Sequence, residues 1–147
     1  MDWTPVNPVF MWLLRSPLHW VVSPGLVLLT ITGRRTGREY SIPVGYQRDG
    51  ELVIVLVSDA PTKQWWRNFR EERPIRMLLR GQEVEGLALL VNPASEEFRG
   101  WAGRTFQRLP FLGRQFGIRY DRRRGLTDEQ VRHLGVQAAI VRIAPAR

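Results

Sequence analysis

Gly33-Arg34-Arg35-Thr36-Gly37-Arg38 sets three guanidinium groups, a hydroxyl and several backbone N–H groups in one short stretch between apolar runs. The two glycines permit a tight reversal with positive φ. A reversal there gathers the donors of Arg34, Arg35, Thr36 and Arg38 into one small volume. Converging, charge-assisted donors of this kind suit phosphate or carboxylate, because guanidinium forks and free amides match the oxygens of an oxyanion. The same residues also fit a hairpin tip whose arginines are only solvated, and the turn alone does not choose between the two.

The flanking runs must position that turn. Leu26 to Thr32 and Ser41 to Gln47 have the apolar content of paired strands, with the arginine turn between them. Asp49-Gly50 predicts a two-residue turn, and Glu51 to Val57 a third strand whose continuous Leu-Val-Ile-Val-Leu-Val run is buried on both faces. Lys63 to Glu72 reads as a short helix ended by Pro74. Ile75 to Arg80 and Glu83 to Val91 predict a second hairpin around Gly81-Gln82. Asn92 is the expected N-cap of the next helix, with Pro93 in its first turn. Thr127-Asp-Glu-Gln opens a capping-box helix, and Ala138 to Ile143 is a last strand. Strands joined by such short turns are antiparallel, since parallel pairs need long crossovers. The expected fold is mainly β with inserted helices: a small closed or partly open barrel of about six strands.

Composition narrows the chemistry. The chain of 147 residues and net charge +8 has the length of one domain with a single core. We expect an apolar helical segment over 1–22, barrel strands over 26–91, a helical insertion over 92–136 and the final strand over 137–144. There is no cysteine, and His19 and His133 form no recognisable ligand pair, so a metal centre is not expected. Lys63 is the sole lysine; the positive charge is otherwise arginine, which favours an anionic ligand. Without a helix-turn-helix, zinc-finger or aromatic RNA-binding signature, nucleic acid is disfavoured. No Gly-x-Gly-x-x-Gly or phosphate-loop signature is present either, which argues against a parallel dinucleotide fold and against ATP hydrolysis.

The motifs in order, Leu29-Thr-Ile-Thr-Gly-Arg-Arg-Thr-Gly-Arg38, Ile42-Pro43-Val44, Arg48-Asp49-Gly50, Ser58 and Trp65-Trp66-Arg67-Asn68-Phe69, resemble the deazaflavin (coenzyme F420)-dependent nitroreductase and quinone reductase family. The resemblance runs from about Leu14 through Val91, with weaker support at Ala139 to Pro145. It implies a split β-barrel that binds F420, a deazaflavin with a phosphate and an acidic tail, and passes its hydride to a quinone or nitroaromatic. It also implies roles for matched positions. Arg34, Arg35 and Thr36 match the family's phosphate-binding turn, with Arg38 near the tail carboxylates. Pro43 and Val44 match the strand beside the deazaflavin ring, Ser58 a serine near its reactive face, and Trp65 an aromatic wall. Asn68 would fix the loop. FMN in the same barrel is the alternative cofactor, and a non-catalytic binder of an anion is the alternative function.

The chain departs from the pattern at Tyr40, which replaces an arginine, at Asp59, where a basic residue is usual, and in a shorter loop between Ser58 and Trp65. Tyr120 is the nearest counterpart of the family's substrate-facing tyrosines. The partners implied are a small-molecule hydride acceptor and, for the greasy segment Val9 to Val22, either a second copy of the chain or a membrane surface. No signal or spanning segment is evident in the sequence, so the expected location is the cytoplasm or the cytoplasmic side of a membrane.

Overall fold

The computed structural model describes residues 26–79 and 81–145. The expectations for residues 1–22 therefore lie outside the described residues. Seven strands form one antiparallel sheet: β1 (Leu26–Thr32), β2 (Glu39–Gly45), β3 (Gln47–Asp49), β4 (Leu52–Val57), β5 (Arg73–Leu79), β6 (Gln82–Leu90) and β7 (Ala139–Pro145). Their order is β2-β1-β5-β6-β7-β4-β3. The two edge strands, β2 and β3, are separated in the chain by Tyr46 alone. The sheet must therefore curl until its edges meet, yet the ladders pair β2 with β1 and β3 with β4 and leave β2 and β4 unpaired with each other. The barrel is split along that line.

Strand residues alternate between two cores. Val27, Leu29 and Ile31 of β1, Val53, Val55 and Val57 of β4, and Val141 and Ile143 of β7 fill the barrel interior with Trp65 and Phe69. Ile54 and Ile140 point the other way, into a second core with Phe98, Ala102 and Phe106 of α1 (Glu96–Arg108) and Leu134 of α2 (Asp128–Gln137). This double burial explains the unbroken apolar run of β4. It also places α1 across the outside of the sheet, where Arg142 of β7 donates to both carboxylate oxygens of Glu97 at 2.7 and 2.6 Å.

The local departures from expectation have physical causes. The second strand breaks at Tyr46 into two, giving seven strands where about six were expected. Asp49 pairs with Leu52, so the hairpin loop is Gly50-Glu51, with Gly50 taking the positive φ of 59° at its first position. Lys63 to Glu72 forms no α-helix; two 3-10 segments, Ala60–Thr62 and Trp65–Phe69, replace it. Trp65 and Phe69 are both buried there, and so short a stretch gains little from helical propagation. Pro74 lies inside β5, before its register with β1 begins at Thr30 opposite Arg76. The N-cap of α1 is Ser95, whose hydroxyl accepts from Phe98 N, whereas Asn92 Oδ1 accepts from Ala94 N in a local turn. The Thr127 capping box forms as expected.

Candidate functional site

The arginine turn is a closed loop at one end of β1 and β2. Gly33 N donates to Arg38 O at 2.8 Å, Gly37 N to Gly33 O at 2.9 Å, and Arg38 N to Thr36 Oγ1 at 3.3 Å. Gly37 adopts φ 70°, which L side chains rarely take, and so allows the chain to return. Arg34, Arg35, Thr36 and Arg38 are all exposed. None of the three arginines makes an ion pair, while Glu39 at the base of the turn is taken by Arg76. The turn thus presents uncompensated positive charge on a fixed backbone.

A cleft of about 1080 Å³ occupies the split between β2 and β4. Ile42, Pro43 and Val44 of edge strand β2 form one wall, and Val55 to Ser58 of β4 the other. Lys63 and Trp65 bound one end. The C-terminal turn of α1 (Thr105, Arg108) and the following segment (Leu109, Leu112, Gln115, Phe116) complete the lining. An edge strand leaves part of its backbone polar groups without a ladder partner, so β2 can offer main-chain hydrogen bonds to a ligand lying against it.

The loop at the Ser58 end is drawn in by several contacts. Asp59 takes a left-handed conformation (φ 50°, ψ 43°), Thr62 Oγ1 donates to Asp59 O at 2.8 Å, and Trp66 Nε1 donates to Ala60 O at 2.9 Å. Lys63 Nζ donates to Ser58 O at 2.7 Å, which brings a cation to the cleft although position 59 is acidic. Trp65 is 7% exposed and belongs to the barrel core as well as to the cleft wall.

Of the eight residues singled out from sequence, Pro43, Val44, Ser58 and Trp65 line the cleft. Arg34, Arg35, Thr36 and Arg38 do not; they stand beside it on the turn. Asn68 joins the two groups, because its Oδ1 accepts from Arg34 N at 3.0 Å and its Nδ2 donates to Trp65 O at 2.9 Å and to Tyr40 OH at 3.4 Å. Tyr40 therefore serves the turn as a support, and burial pushes its phenol above the ordinary tyrosine pKa, opposed by the Asn68 hydrogen bond. Tyr120 does not line the cleft: its ring packs on Phe106 at 5.8 Å, and its hydroxyl donates to Gln107. Sequence reasoning missed Tyr46, Arg48, Lys63, Arg108 and Gln115, which reach the cleft from four separate elements. The break between strands at Tyr46 was the one local signal that could have pointed there.

The F420H(2)-dependent quinone reductase family matches residues 18–118, which is more than half of the chain. The chain belongs to that family. The matched region contains the arginine turn, β2, the Ser58 loop and the C-terminal end of α1, so this family's pattern spans every wall of the cleft. A comparison with curated proteins finds no match. Among solved structures, an F420-H2 dependent reductase (FDR-A) is similar with TM-score 0.56 and 15% identity, over 81% of this chain and 93% of that one. HutZ, a heme storage protein from Vibrio cholerae, is similar with TM-score 0.55 and 12% identity, over 98% and 92%. A chain described as a domain-swapped dimer matches with TM-score 0.55 and 13% identity, over 93% and 99%. At such identities these likenesses establish the fold, a split β-barrel. Among the described residues of this family member, no helix is long and apolar enough to cross a membrane, and no group of three or more His, Cys, Asp or Glu could hold a metal ion.

Proposed function

We propose that the protein is an oxidoreductase that takes a hydride from reduced F420 and delivers it to a quinone-like acceptor, with nitroaromatics as a second acceptor class. The observation that carries this reading is the cleft itself. It is a long, largely apolar slot in a member of an F420H2-dependent family, walled by an edge strand and flanked by an unpaired arginine turn. An anionic, ring-bearing cofactor fits both parts: planar ring in the slot, charged groups at the turn.

Arg34, Arg35 and Thr36 would hold the cofactor phosphate, and Arg38 the carboxylates of its tail. Pro43 and Val44 would lie along the ring's polar edge, Ser58 would meet its reactive face, and Trp65 would close the wall. When bound, the reduced deazaflavin supplies the hydride. The chain's own work is then to bind, orient and exclude water, which accounts for the lack of an acid–base dyad in the lining. A second copy of the chain is a further partner consistent with this reading.

The test is titration with oxidised and reduced F420 and with FMN, followed by turnover of reduced F420 with a quinone. Tight F420 binding and acceptor-dependent oxidation are expected. Arg35→Ala should weaken F420 binding by about 1.5–3 kcal/mol, the range for hydrogen bonds to charged groups, with little change in stability because the residue is exposed. Preference for FMN, or F420 affinity unchanged in both Arg34→Ala and Arg35→Ala proteins, would overturn the assignment.

A further inference from the structure

The charges around the cleft are one-sided. Its ionisable lining residues with charge at neutral pH are Arg48, Lys63 and Arg108, all cations, and no carboxylate lines it among the described residues. Lys63 belongs to the Ser58 end, where its ammonium is held on a backbone carbonyl. Arg48 and Arg108 belong together at the opposite end. Their elements are tied by Gln47 Nε2 donating to Thr105 Oγ1 at 2.6 Å and by an ion pair between Arg104 and Asp49 at 3.0 Å. Arg108 follows those two anchors by about one helical turn.

Neither guanidinium has another task. Asp49, the carboxylate next to Arg48 in sequence, is already engaged by Arg104. The C-terminal carbonyls of α1 are met by Arg122, whose Nε donates to Gln107 O at 3.0 Å and whose Nη2 donates to Arg108 O at 3.5 Å. Arg108 itself forms no ion pair, and nor does Arg48. Beside them the wall is apolar, from Leu109, Leu112 and Phe116. Unpaired cations at the end of an apolar slot focus a positive potential into it and select ligands that combine a greasy ring with an anion.

We propose that this end of the cleft is an anion subsite for the acceptor, so that the preferred acceptor is an aromatic or quinonoid ring carrying a carboxylate or sulfonate-like group. This deepens the proposed function and relies on it for the occupant of the Ser58 end. The anion would lie between Arg48 and Arg108 while the ring extends along the apolar wall toward the cofactor. The arginine turn would remain the site for the cofactor's own phosphate.

The experiment is equilibrium dialysis of naphthoquinone sulfonate and unsubstituted naphthoquinone against the protein without cofactor, at low and high salt. The chain has no cysteine to trap a quinone covalently, so reversible binding can be read. The sulfonate should bind about tenfold more tightly than the neutral ring at low salt, with the difference shrinking as salt rises. The double variant Arg48→Gln/Arg108→Gln should lose that preference while keeping its affinity for the neutral ring, which also reports that the cleft is folded. Arg119→Gln/Arg132→Gln, with the same change in net charge on exposed residues outside the cleft lining, should keep it. Equal affinity for the two probes, or equal loss in both double variants, overturns the subsite. A separate F420 titration of the Arg48/Arg108 variant distinguishes the source of the anion: lost F420 affinity with retained sulfonate preference would assign this end to the cofactor and overturn the proposal. Failure of F420 to bind the unaltered protein would strike the proposed function without altering the dialysis result.

Discussion

The side chain of Asn68 accepts the backbone N–H of Arg34 at 3.0 Å, fastening the anion-facing turn to the segment that carries Trp65. Asn68 is only 8% exposed, and its amide donates to Trp65 O and Tyr40 OH as well. One carboxamide thus sets the spacing between the arginine turn and the cleft wall. Asn68→Ala should cost about 1–3 kcal/mol, because it leaves partly buried groups without partners. It should also weaken F420 binding beyond what the stability loss explains. Chemical denaturation and F420 titration on one preparation check both; normal affinity in the folded fraction would reduce Asn68 to a packing role.

Much of this arrangement is legible in the sequence, for reasons that differ by element. The β1–β2 hairpin is readable because glycines and apolar runs act over a few residues. The β4 run is readable because burial on both faces leaves no polar position. The Thr127 cap is readable because Thr and Gln three positions apart satisfy each other's orphan groups. Lys63 to Glu72 misleads because its aromatics suggest helical spacing, whereas Trp65 and Phe69 are claimed by the barrel core. Asn92 misleads because Asn serves a local turn as readily as a helix cap, and Ser95, three residues on, takes the cap. The cleft's far end is illegible for a deeper reason. Arg48 and Arg108 meet only after β3 and α1 are brought together across the sheet, and no local pattern records that closure.

Trp65 holds two positions at once, in the core beside Phe69 at 6.3 Å between ring centroids and in the cleft wall. Trp65→Ala should therefore lower stability by about 3–5 kcal/mol and also weaken cofactor binding per folded molecule. Trp65→Phe should recover most of the stability but less of the affinity. Calorimetry with parallel cofactor titration separates the effects; full affinity in a destabilised Trp65→Ala protein would return the residue to the core alone.

Tyr40 makes stability depend on alkaline pH. Burial raises its pKa, with the Asn68 hydrogen bond acting in the opposite direction, so the folded state favours the neutral phenol. The unfolded chain loses its proton first as pH rises past the ordinary value of 10.0. The contribution is therefore complete below that value and is lost as pH climbs through the folded-state pKa. Thermal melts across that window should show a decline that Tyr40→Phe flattens. At neutral pH the variant should lose little, because Asn68 Nδ2 keeps its bond to Trp65 O. An identical alkaline decline in the variant would assign it to other groups.

Tyr46, at the break between β2 and β3, lines the cleft with its hydroxyl oxygen buried and without a hydrogen-bond partner. A buried hydroxyl that makes no bond in the protein contributes desolvation cost and no compensating interaction. Tyr46→Phe should accordingly leave the melting temperature unchanged or raise it. A ligand carbonyl in the cleft would supply the missing partner, so the same variant should bind the quinone acceptor less tightly, by about 0.5–1.5 kcal/mol for a neutral hydrogen bond. The two readouts move in opposite directions only if the hydroxyl serves the ligand. A lower melting temperature with unaltered acceptor KM would show that Tyr46 acts for the fold and not for the cleft.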